Sequence, residues 1–128
     1  MKIKKIITFL LFINIVNSQA YSIEPDIFVQ STVNRASQIL SQNITKEEKI
    51  NELKIIAKET VDIDGVGFYS LGSTRKNLND IEKKKYLKLF ELYFLKSFSS
   101  RLSEYTNPKI EVQGKKVLNK NYTIVNSL

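Results

Sequence analysis

Two carboxylates, Asp62 and Asp64, are the first place to look for chemistry in this sequence. General acid and base work needs two groups facing one reactant. Residues two apart share a face only in a strand, and no arginine cluster stands beside these two. Capping a helix start is the use aspartate has at such a position. The chain contains no His and no Cys. That excludes the usual nucleophilic triads, thiolate chemistry, disulfides and zinc sites of the Cys or His type. Gly65-Val66-Gly67 has the outline of a phosphate loop, but it lacks the third glycine and a preceding strand. It reads instead as two permissive positions in a short helix. Lys76, Lys83, Lys84, Lys85 and Lys88 form a basic cluster. It reads as a solvated helix face, with attraction to anionic lipid headgroups as a second use. Arg101 stands three residues before Glu104, a helical pairing distance. No catalytic constellation, cofactor or metal is expected.

What remains is apolar. Asp80 to Tyr105 reads as one long helix, with Asn79 and Glu82 at capping-box spacing. Tyr86, Leu89, Phe90, Tyr93, Phe94, Phe98, Leu102 and Tyr105 recur at steps of three or four or as neighbours, forming one broad face. Leu87, Leu92 and Leu95 widen it, so the helix should be covered on more than one side. Asn107-Pro108 stops it.

The elements before it are helical as well. Pro25 opens a helix to Ser41, in which Phe28, Val29, Thr32, Val33, Ala36, Ile39 and Leu40 recur at helical spacing. Thr45 and Glu48 match a second capping box and start a helix over 46–60, with Ile50, Leu53, Ile56 and Ala57 inward. The short connector makes these two an antiparallel hairpin. Asp62 or Asp64 caps a short helix over 63–71, and Gly72 fits just past its end. After the long helix the period changes to two. Strands are expected over 109–118, with a bulge or bend at Gly114, and over 121–127, joined by the turn residues Asn119 to Asn121. The fold class is α+β: four helices on an incomplete antiparallel sheet.

Residues 1–20 form a secretory signal peptide. Lys2, Lys4 and Lys5 are its basic region, Ile6–Val16 its apolar run, and Ser18-Gln19-Ala20 its cleavage site. Cleavage after Ala20 would make this an exported protein, which without Cys suits a bacterial periplasm as well as any other exterior, and leaves 17 basic against 13 acidic residues, a net +4 where the whole chain has +7. Export argues against nucleic acid as a partner. An apolar pocket between helix and sheet would suit a lipid tail, offsetting the loss of about 0.8 kcal/mol for each CH₂ taken from a membrane. Candidate lining residues are Val66 and Leu71 before the long helix. On it they are Leu89, Phe90, Tyr93, Phe94, Phe98 and Leu102; after it come Ile110 and Val112.

The segments FVQSTVNRASQIL, TKEEKINELKIIAKETVDID, SLGSTRK and KYLKLFELYFLKSFSSRLSEY, followed by KIEVQG, resemble the MlaC or toluene-tolerance family. Its members are periplasmic phospholipid carriers of the outer-membrane lipid-asymmetry pathway. The likeness covers residues 27 to 128, the domain being 21–128. Leu71-Gly72 matches the family's Leu-Gly, and Phe90, Leu102 and Tyr105 match its long helix. Arg75 stands where the family has an aromatic. The resemblance implies helices around a bent sheet with acyl chains between them, phospholipid as cargo and no enzyme activity. It implies exchange with an inner-membrane ABC-transporter complex and an outer-membrane lipoprotein–porin complex. The family continues for further strands and a helix, so this chain reads as the N-terminal part of a carrier: a split gene with its C-terminal segment on a second polypeptide, a truncated copy or a fragment. The alternatives are an exported helical interaction protein or a non-functional fragment.

Overall fold

The computed structural model describes residues 22–128. The signal segment and its cleavage site lie outside the described residues. Helix α1 runs Pro25–Ser41, with proline in its first turn where a missing N–H costs nothing. Helix α2, Lys46–Thr60, starts with the expected box. The Glu48 amide donates to Thr45 Oγ1 at 3.2 Å, and the Thr45 amide donates to the Glu48 carboxylate at 2.8 Å. Those bonds hold the Glu48 carboxyl below its ordinary value. Helix α3 is Ile63–Ser70. Of the two aspartates it is Asp62 that caps it, accepting from the Gly65 amide at 3.0 Å. Gly72 follows with φ +54, a left-handed turn that glycine adopts without strain. A 3₁₀ turn over Gly72–Lys76 leads to helix α4, Asp80–Leu102, opened by the box of Asn79 and Glu82.

Helix α4 stops three residues short of the expected Tyr105. The Glu104 and Tyr105 amides reach back only three residues, to Arg101 and Leu102. Asn107 then turns left-handed at φ +53 before Pro108. The residue before proline avoids the helical region, so the last turn tightens and unwinds. Glu104 pairs with Lys46 at 3.6 Å, not with the expected Arg101.

Strands β1, Val112–Asn119, and β2, Tyr122–Ser127, form one antiparallel hairpin. The pairing opens with Glu111 and Leu128, which exchange both backbone bonds. Lys109 and Ile110, expected in the strand, have no strand opposite them among the described residues and turn toward the helices. Register slips from Val112/Ser127 to Gly114/Asn126, leaving Gln113 as a bulge beside the expected bend. A second slip falls at Leu118. In the turn, Asn119 Oδ1 accepts from the Asn121 and Tyr122 amides.

Helix α1 packs on α2 and carries the hairpin; α2 and α3 pack on α4. The core is Ala57, Ile63 and Leu95, with Val61, Phe90 and Phe94 around it. Buried Gly67 sets the α3–α4 distance, since a Cβ there would stand 2.7 Å from the Phe90 ring. Tyr86, Phe90, Phe94 and Phe98 stack in a column four residues apart, with ring centroids 5.4 to 6.2 Å apart. The broad apolar face of α4 is nevertheless only partly covered. Helix α2 packs on it, with Ala57 and Leu95 in one buried cluster, and α3 approaches it at Gly67, near Leu87 and Phe90. Leu89, Leu92 and Tyr93 are left exposed.

Candidate functional site

Helix α1 packs on α2 and α2 on α4, but α1 and α4 are not closely packed on each other. The space between them is a cavity of about 670 Å³, inside the roughly 300–1,000 Å³ of ordinary small-molecule sites. Val33, Ala36 and Leu40 form the α1 wall. Leu53, Ile56, Ala57 and Val61 form the α2 wall. Phe98, Leu102 and Tyr105 come from the end of α4, and Pro108, Lys109 and Ile110 close the floor. Small side chains stand at Ala36 and Ala57, where larger ones would fill the space.

Four hydroxyls lie in the lining: those of Thr32, Thr60 and Ser37 each have an acceptor, and the fourth is the phenol of the largely exposed Tyr105. Thr32 donates to the Phe28 carbonyl at 2.9 Å and Thr60 to the Ile56 carbonyl at 2.7 Å. Both bonds run back along their own helices. Ser37 reaches the Pro108 carbonyl at 3.5 Å, across to the floor. The interior therefore presents carbon and little else. Two ion pairs tie the walls from outside: Arg35 on α1 to Glu59 on α2 at 2.6 Å, and Lys46 to Glu104. Exposed pairs of this sort contribute about 0–1 kcal/mol. Lys49 donates to the Leu40 carbonyl at 2.7 Å, closing the end of α1. Lys109 is the charged residue in the lining, and its side chain is exposed.

Of the lining residues named from sequence, the structure brings Phe98, Leu102 and Ile110 together at this cavity. Phe90 and Phe94 pack against the core beneath it. Leu71 is half-buried just after α3. Val66, Leu89 and Tyr93 are exposed. Val112 is half-buried on β1, its amide donating to Gln30 of α1 at 3.3 Å. The pocket expected between helix and sheet is thus walled by helices, with the hairpin behind α1. The α1 and α2 walls were visible in sequence only as inward stripes. Their signal was small and hydroxylic residues, Ala36, Ala57, Thr32 and Thr60, set into those stripes.

Among the described residues no helix is long and apolar enough to cross a membrane, and no cluster of His, Cys, Asp and Glu could hold a metal. A comparison with protein families matches residues 30–128 to the family described as MlaC protein. No curated protein and no solved structure matches the chain.

Proposed function

The chain belongs to the MlaC family, and from that premise we propose that it carries phospholipid across the periplasm between the inner and outer membranes, maintaining outer-membrane lipid asymmetry. The acyl tail enters the cavity between α1, α2 and α4, and Lys109 meets the headgroup phosphate. Lipid goes to and from the transport machinery of the two membranes, an ABC-transporter complex and a lipoprotein–porin complex. Carriage needs no bond to form or break.

One observation supports this reading most directly: a 670 Å³ apolar cavity whose threonine and serine hydroxyls are already paired. A sugar, nucleotide or metal would meet no free polar partner deep inside it. A hydrocarbon chain loses nothing there and gains about 0.8 kcal/mol per CH₂ sheltered from water. Against a membrane, which shelters those groups equally well, the gain nearly cancels, as release requires.

Mass spectrometry of an organic extract of the periplasmic protein tests the reading. Phospholipid is expected at a fixed ratio to protein. Ala36→Phe, which fills the cavity, should abolish most of it while the protein still melts cooperatively. A stable wild-type protein free of lipid, or an Ala36→Phe variant with undiminished lipid, would overturn the proposal.

A further inference from the structure

The N-terminal two thirds of α4 carry a second surface, on the side that neither α2 nor α3 covers. Ile81, Leu89, Leu92 and Tyr93 lie there with 57% to 80% of their surface exposed. Leu92 and Tyr93 follow Leu89 by three and four residues, and Ile81 precedes it by eight, two helical steps of four, which puts them on one stripe. Lys85, Lys88 and Lys96 interleave with them on the same stripe, since 81, 85, 88, 92 and 96 are successive helical neighbours. All three lysines are exposed, and no carboxylate among the described residues lies within ion-pair distance of them. The acidic residues nearby are engaged elsewhere. Glu82 completes the capping box, Asp80 pairs with Lys83, and Glu91 pairs with Lys58 on α2. Unneutralised cations alternating with exposed leucine and tyrosine make a face that is basic and apolar at once.

We propose that this face of α4 docks the protein on an anionic phospholipid surface. The charge decides the occupant. A second copy seated on the same face would set lysines against lysines. An uncharged apolar partner would leave three cations to be desolvated without a counterion. Anionic headgroups over a hydrocarbon layer satisfy both components. Lysines reach phosphates while leucine and tyrosine enter the headgroup boundary, where tyrosine's ring and hydroxyl are both accommodated. The stripe lies along the helix axis, so α4 would rest parallel to the surface rather than enter it. The docking rests on the lipid-carrier reading for its purpose but not for its physics: it needs the surface stripe, not a loaded cavity.

The test is co-sedimentation of the mature protein with vesicles of phosphatidylglycerol and phosphatidylethanolamine, against vesicles of phosphatidylcholine alone. Binding is expected to the first and not the second, and to weaken as salt rises. Each lysine near the surface is worth about fivefold in affinity. The triple variant Lys85→Gln, Lys88→Gln, Lys96→Gln should therefore bind on the order of a hundredfold more weakly. Leu92→Ser with Tyr93→Ser should lose binding while keeping the helical spectrum, because both side chains are exposed. Equal binding to the two vesicle types, no binding to either, or a triple variant that binds as well as the parent would overturn the proposal. So would a dimer, seen without vesicles, that Leu92→Ser with Tyr93→Ser abolishes. Extracted lipid is measured on the same preparations. Cargo without vesicle binding sinks the docking alone; vesicle binding without cargo sinks the carrier alone.

Discussion

Ser99 shows how much a single side chain costs in a core this small. It lies in α4 one turn after Leu95, fully out of solvent, and its hydroxyl has no hydrogen-bond partner. A buried, unpaired hydroxyl is unfavourable by about 1–3 kcal/mol. What serine supplies there is size, since a fully buried position cannot take a larger residue without displacing its neighbours. Ser99→Ala keeps the size and removes the orphan. It should raise the urea midpoint, by about 1 kcal/mol in stability, with the slope unchanged. A lower midpoint would mean that the hydroxyl is satisfied in solution.

At the scale of elements, local signals carried far. Both capping boxes formed where three-residue spacing placed them, because a cap involves only its own turn, and of the two candidate aspartates Asp62 took the third cap. The strand start did not. Lys109 to Gln113 alternates like a strand, yet Ile110 faces the cavity, because pairing begins only where Leu128 stands opposite Glu111. The lining was partly hidden for a similar reason. Leu89 and Phe98 are equally apolar in sequence, and only the packing of α2 decides which side of α4 is enclosed. One long-range link was also invisible. Lys115 on β1 bridges Glu24 and Asp26 at the start of α1, at 2.9 Å to Asp26. The bond to Asp26, then that to Glu24, raises Lys115 above the ordinary lysine value. The same bond holds Asp26 below the ordinary aspartate value. The contribution of Lys115 is therefore full below the ordinary lysine value and lost as pH rises through the raised one. That of Asp26 is full above the ordinary aspartate value and lost as pH falls through the depressed one. Amide exchange in β1, corrected for intrinsic rates, should show constant protection across about pH 6–8 and lose it at acid pH. Lys115→Gln should remove the acid-linked part; an unchanged acid response would exclude the bridge as its source.

At the scale of the molecule, the hairpin is the exposed part. Strand β2 reads YTIVNS, with no charge and no proline to discourage pairing at its outer edge. Tyr122 and Ile124 are exposed on it, as are Val117 and Leu118 on β1. The outer edge of β1 is partly covered, with Val112 bonded to Gln30 of α1 and Lys115 tied to its start. Unprotected edges with exposed β-branched and aromatic residues invite further strands. Sedimentation of the mature protein at rising concentration should therefore show self-association, and Ile124→Lys should reduce it without lowering the melting temperature. A wild-type protein that stays monomeric throughout would show that the edge is blocked in solution.

The paired hydroxyls of Thr32 and Thr60 have one more consequence. A wall that offers carbon alone has no fixed point along its length at which to grip a chain. A guest there is registered by its girth and reach, not by where a double bond or branch happens to fall, and it remains free to slide. The tails recovered from the protein should accordingly mirror those of the membrane it was drawn from, as a bearing accepts any shaft of the right gauge.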